Sequence, residues 1–102
     1  MGKATRSYRE GLLNRLRVDE NLQIAHLKAA AEDSEMPDVF LLALRDVVEA
    51  RGIAQFAEES ELNREHLYRI LSKDGNPKLD SLFKILNALG IIMTFQKKPK
   101  AG

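Results

Sequence analysis

Between positions 63 and 78 the chain gathers side chains that grip by hydrogen bond and charge: Asn63, Arg64, Glu65, His66, Tyr68, Arg69, Lys73, Asn76 and Lys78. A guanidinium offers five N–H donors in a fixed fork, a carboxylate only accepts, and a phenol joins an apolar ring to a polar tip. These are groups for recognition. Nothing in their arrangement supports bond-breaking chemistry: no nucleophile has an evident base, no Gly-rich loop could cradle a phosphate, and the adjacent Glu58 and Glu59 point different ways on a helix. The absence of Cys removes disulfides, thiolate catalysis and Cys-containing zinc sites, and His26 and His66 stand too far apart for a multi-histidine cage. The expectation is a binding protein, not an enzyme, with no metal and no cofactor.

Hydrophobic spacing says how these residues are positioned. Tyr8, Leu12, Leu13 and Leu16 form a helical stripe ending near Val18, and Asp19 can cap a second helix whose apolar residues Leu22, Ile24, Ala25, Leu27, Ala29 and Ala30 carry it to about Glu32. Ser34 or Glu35 ahead of Pro37 marks the next start. Val39, Phe40, Leu42, Ala43, Leu44, Val47 and Val48 then make the most apolar helix, stopped by Gly52. A short helix over 54–60 turns Phe56 and Ala57 inward. Asn63 caps another that runs to about Ser72, with Leu67, Ile70 and Leu71 buried and Arg64, Glu65, Tyr68, Arg69 and Ser72 outward. Asp74-Gly75-Asn76-Pro77 is a dense turn signal. Leu79, Leu82, Phe83, Ile85, Leu86 and Leu89 build a last helix, halted at Gly90, and 91–96 is rich enough in β-branched and aromatic residues to suit a strand. Lys97 to Gly102 read as a solvated basic tail.

Two short helices joined by a tight turn are the geometry of a helix-turn-helix, and 54–72 fits it. At 102 residues one domain is expected, spanning 1–102: N-terminal helices over 8–52, helix-turn-helix 54–72, final helix 79–89, strand 91–96 and tail 97–102. The formal net charge of +1 conceals an asymmetry. Residues 1–20 are net +2, residues 21–62 net −6 and residues 63–102 net +5, so the C-terminal part could meet a polyanion while the middle could meet a cationic partner. The longest apolar run, Val39 to Leu44, is far short of the roughly 20 residues that span a bilayer, and Met1 to Arg17 has no signal-peptide core. A cytoplasmic, soluble protein without a membrane partner is expected.

The helix-turn-helix resembles that of phage-repressor-like (XRE, Cro/C1-type) regulators, which have Ala, then Gly four on, then an aliphatic residue six further; here these are Ala57, Glu61 and Leu67. More narrowly, Ala43-Leu44-Arg45-Asp46-Val47-Val48-Glu49-Ala50-Arg51-Gly52, the segment Asn63 to Leu71, Gly75-Asn76-Pro77, Leu79-Asp80-Ser81-Leu82 and the stretch from Tyr8-Arg9 to Ala29-Ala30-Ala31-Glu32-Asp33 are similar to HigA-like addiction-module antidote proteins. The resemblance covers about residues 8–95 and departs at Glu61, where the family has Gly, and at Lys78, where it has a capping Ser or Thr. If that turn needs a positive φ, Glu61 costs about 1 kcal/mol.

What the resemblance implies is an all-α, five- to six-helix, lambda-repressor-like domain that binds operator DNA in sequence-specific fashion. It also implies an antitoxin of a type II toxin–antitoxin module, one that neutralises a RelE/HigB-like toxin and represses its own operon. Such toxins bind RNA and are basic, which suits the acidic middle. On this reading Asn63 sets a helix N-terminus against a phosphate, Arg64 and Arg69 donate to guanine, Glu65 accepts from cytosine and His66 is partly buried or lies beside a phosphate rather than reading a base. Tyr68 offers its ring to a thymine methyl or its hydroxyl to a phosphate, while Lys73, Asn76 and Lys78 position the backbone. Glu65 and Arg69 can pair at i, i+4 in the free protein, and His26 is expected on a helix surface. The alternative is a phage-type regulator with no toxin partner. One small helix-turn-helix makes few contacts, so a homodimer on two half-sites about 34 Å apart is expected. Ile91, Met93 and Phe95, on one side of the strand, would pair across it.

Overall fold

The computed structural model describes the backbone of residues 2–32 and 35–99, and side chains of that set from Ser7 onward. Six helices follow in order: α1 (Gly2–Val18), α2 (Glu20–Ala31), α3 (Pro37–Arg51), α4 (Ile53–Ser60), α5 (Arg64–Ile70) and α6 (Leu79–Leu89). The caps explain most of the boundaries. Asp19 accepts from the Leu22 amide at 3.0 Å and starts α2; Asn63 accepts from the His66 amide at 2.7 Å and starts α5. Gly52, at φ 100°, ends α3 and begins α4 with no linker between them. Gly90, at φ 74°, closes α6: its amide reaches the Asn87 carbonyl and the Ile91 amide that of Leu86.

The core is one cluster assembled from five helices and two caps. Leu27 of α2, Leu44, Val47 and Val48 of α3, Phe56 of α4, Leu67 and Ile70 of α5, and Ile85, Leu86 and Leu89 of α6 meet in it, with Leu62 and Leu71 closing the ends of α4 and α5. The hub is α3, which packs on α1, α2 and α4; α4 in turn carries α5 and α6. Helix ends that burial would orphan are satisfied by side chains of other helices. Gln23, itself buried, donates to the Leu16 carbonyl at 2.6 Å, Arg17 to that of Ala50 at 3.0 Å, and Arg51 to that of Leu89 at 2.9 Å. These two arginines tie helix ends to other helices.

Several expectations are corrected here. No strand forms at 91–96 among the described residues: Ile91 packs against the core as the last contact of the α6 cap, and the segment beyond it is exposed. A strand needs a neighbouring ladder, and one chain offers none. Helix α1 begins at Gly2 rather than near Tyr8, and Tyr8 is 70% exposed, off the buried stripe. On α2 Gln23 is buried along with Leu27 while Ile24 lies outside, since Gln23 serves the end of α1. Leu79 is also largely exposed and Val39, Leu42 and Phe83 are more than a third exposed, and Leu41 takes the inward place on α3. Met36 stands at the N-cap of α3 and makes no side-chain cap, Pro37 entering the first turn as anticipated. Glu35 lies in the turn before it, whereas Ser34 and the tail residues 100–102 are outside the described residues.

Candidate nucleic-acid interface

Helices α4 and α5 are joined by Glu61, Leu62 and Asn63. Leu62 is buried and plugs the turn, Ala57 packs against the core where α5 crosses α4, and Leu67 is fully buried beneath α5. Glu61 takes φ 62°, ψ 23°, the left-handed conformation, and is the one positive-φ residue other than glycine among those described. The turn does demand what a glycine would supply freely.

With Leu67, Ile70 and Leu71 inward, α5 turns Arg64, Glu65, Tyr68 and Arg69 to solvent. His66 is half-buried at the edge of this face. Its Nδ1 meets an Arg69 terminal nitrogen at 2.8 Å, so Arg69 donates to His66. Among the described residues Glu65 makes no ion pair with Arg69, contrary to the i, i+4 expectation; the shorter reach to His66 has taken the guanidinium. The Asn63 oxygen is committed to its cap, leaving the exposed start of α5 as the feature that could face an anion. Beside it an open groove is walled by Ala54, Ala57 and Leu62 and rimmed by Glu58, Glu61 and Glu65. Lys73, Asn76 and Lys78 are exposed on the loop that follows α5. Lys78 is the N-cap of α6 and makes no side-chain cap bond, as its replacement of Ser or Thr implies. Glycine is required at position 75, where a Cβ would run into the Ile70 carbonyl, so this loop is pinned under the end of α5.

Behind the face stands a charged network that sequence spacing only half reveals. Arg9 of α1 bonds Asp46 at 2.8 Å and Glu49 at 2.7 Å; Glu49 also accepts from Arg45 Nε at 2.8 Å; His26 of α2 meets the second Asp46 oxygen at 3.0 Å. His26 is therefore a partly buried partner of Asp46 and not a free surface residue. The Arg45 guanidinium lies over the Tyr68 ring, 5.2 Å from its centroid. Burial pushes the Glu49 carboxyl up, but hydrogen bonds and charge from Arg45 and Arg9 outweigh it and hold the group below the usual carboxylate range. The Arg9 guanidinium is correspondingly raised, by its bond to Glu49 above all. Two of the nine acids in residues 21–62 are thus committed to pairs with Arg9, His26 and Arg45. No group of His, Cys, Asp and Glu among the described residues could hold a metal ion, and no described helix is long and apolar enough to cross a membrane.

The class these features define is a small all-helical domain that presents a short polar helix on the outside of a shared core. Residues 12–97 match the family described as "Probable addiction module antidote protein", and the chain belongs to that family. A relative from Haemophilus influenzae (strain ATCC 51907 / DSM 11121 / KW20 / Rd), described as an uncharacterized protein, is 32% identical over 82 residues, covering 80% of this chain and 82% of its own. No solved structure matches. Membership supports a role as the antidote component of an addiction module.

Proposed function

We propose that the chain is the antitoxin of a type II toxin–antitoxin module: a sequence-specific, XRE-type helix-turn-helix protein that represses its own operon and neutralises a basic RelE/HigB-like toxin. The observation that carries the DNA half is the division of α5, with Leu67, Ile70 and Leu71 buried and Arg64, Glu65, Tyr68 and Arg69 exposed directly after a three-residue turn. In a major groove Arg64 and Arg69 would donate to guanine, each worth about 1–3 kcal/mol of discrimination. Glu65 would accept from cytosine and Tyr68 would meet a thymine methyl. Lys73, Asn76 and Lys78 would hold the backbone, with His66 orienting Arg69 at its edge. The toxin half rests on the family and on the exposed acids that remain, among them Glu58, Glu59 and Glu61. We further propose a homodimer on two half-sites, Met93 and Phe95 contributing from the exposed segment after α6 and Ile91 anchoring that segment.

Co-expression with the adjacent gene product followed by a gel shift on the operon's own promoter tests both halves. Arg64→Ala and Arg69→Ala should relax operator choice, whereas Lys73→Ala should weaken all sequences alike and lower the salt slope by about 1. A footprint unchanged in the double arginine variant rejects the assignment of α5. Binding to the promoter without co-purification of the neighbour leaves a regulator with no toxin.

A further inference from the structure

We propose that Arg45, on α3 and outside the two short helices, is a positioning residue for Tyr68 and sets which base the Tyr68 position accepts; this rests on the DNA-reading role given to α5 above. Tyr68 is 37% exposed, so its ring is neither packed in the core nor free to sample every rotamer. The Arg45 guanidinium sits over one face of that ring at 5.2 Å. A cation there is attracted by the ring's quadrupole and leaves only the opposite face and the hydroxyl to meet a ligand.

Arg45 is itself tied down. Its Nε donates to Glu49 at 2.8 Å, the other Glu49 oxygen accepts from Arg9 at 2.7 Å, Arg9 also bonds Asp46 at 2.8 Å, and Asp46 is met by His26 at 3.0 Å. Residues of α1, α2 and α3 therefore fix the plane against which a residue of α5 stacks. The terminal nitrogens of Arg45 make no other hydrogen bond among the described residues, so its orientation comes from the Nε bond and from the ring. Without Arg45 the face it covers is bared and the ring's torsions are released. A preference read through one face then blurs.

The test is selection of preferred duplexes from a random DNA pool by the full chain, comparing the unmodified protein with Tyr68→Ala, Arg45→Met, Arg45→Lys, Arg64→Ala and Arg69→Ala. Arg45→Met should lower base preference by about two- to fivefold, the range of an exposed cation–π contact, at the position that Tyr68→Ala also flattens. Positions lost with Arg64 or Arg69 and the salt slope should stay unchanged, and Arg45→Lys, which restores a cation over the ring, should recover part of the preference. A folded Arg45→Met protein with full preference at that position overturns the proposal. So does a uniform loss on all sequences with a shallower salt slope, which would make Arg45 an ordinary phosphate contact. Should Arg45→Met fail to fold, Arg45→Lys decides alone: partial loss confined to that position supports the proposal and full preference there overturns it. A Tyr68→Ala protein with unaltered selection removes this inference and leaves Arg64 and Arg69 as readers; no selection by the unmodified chain removes both.

Discussion

At position 61 a glutamate occupies a left-handed backbone conformation, where its Cβ crowds the following carbonyl. Glu61→Gly should raise stability by about 0.5–1 kcal/mol, measured as a shift of the denaturant midpoint at unchanged slope. Glu49 allows a test by pH. Its carboxyl is held below the ordinary value of 4.5, so the stability it contributes is complete above that pH and is lost as the pH falls through the lower folded value. Glu49→Gln should therefore flatten the acid side of the stability profile. The outward quartet of α5 was legible because helical spacing separates it from Leu67, Ile70 and Leu71. The i, i+4 spacing of Arg45 and Glu49 was open to the same reading. The Arg9 pairs were not, since Arg9 lies 37 and 40 residues from its partners and only folding brings them together.

Short elements lean hardest on their ends. Helix α5 has seven residues, and Asn63→Ala removes its one side-chain cap at a cost of about 1 kcal/mol, readable by thermal melting. At the start of α6 the reverse experiment is available: Lys78→Ser should add a cap and stabilise by about 0.5–1 kcal/mol, while weakening DNA binding if Lys78 holds a phosphate. Stabilisation with unaltered affinity would free Lys78 of that role. Caps were readable because Asp19, Asn63, Gly52 and Gly90 are residue types with local mechanisms. The strand expected over 91–96 does not form because β-branched and aromatic composition reports a fit to a half-buried pleat, and pleats exist only with a partner. In this chain the same composition serves otherwise: Ile91 plugs the end of α6, and Ile92 and Phe95 stand 85% and 90% exposed.

Across the whole molecule those two exposed side chains set the clearest question about assembly. Deleting residues 91–102 should convert a dimer to a monomer in sedimentation if the segment joins two copies, and an unchanged dimer would place the contact elsewhere. The charge separation of the sequence survives folding in altered form. Asp46 and Glu49 pair with Arg9 and Arg45, and Arg17 and Arg51 bond helix-end carbonyls, so part of the charge in each group is spent on contacts within the chain. Such internal uses are invisible to a count of charges. The packing order has a kinetic consequence. The main helix contacts are with the chain neighbour or the next but one: α1 on α2 and α3, α2 on α3, α3 on α4, and α4 on α5 and α6, with the Arg51 bond to Leu89 reaching further, from α3 to α6. Helical domains closed by near contacts fold in about microseconds to milliseconds, against synthesis at about 5–20 residues per second. The clasp around Asp46 and Glu49 is made by α1, α2 and α3 alone, so Arg45 has its Glu49 bond whether or not α5 is docked, and the docking of α5 adds the Tyr68 ring to its setting.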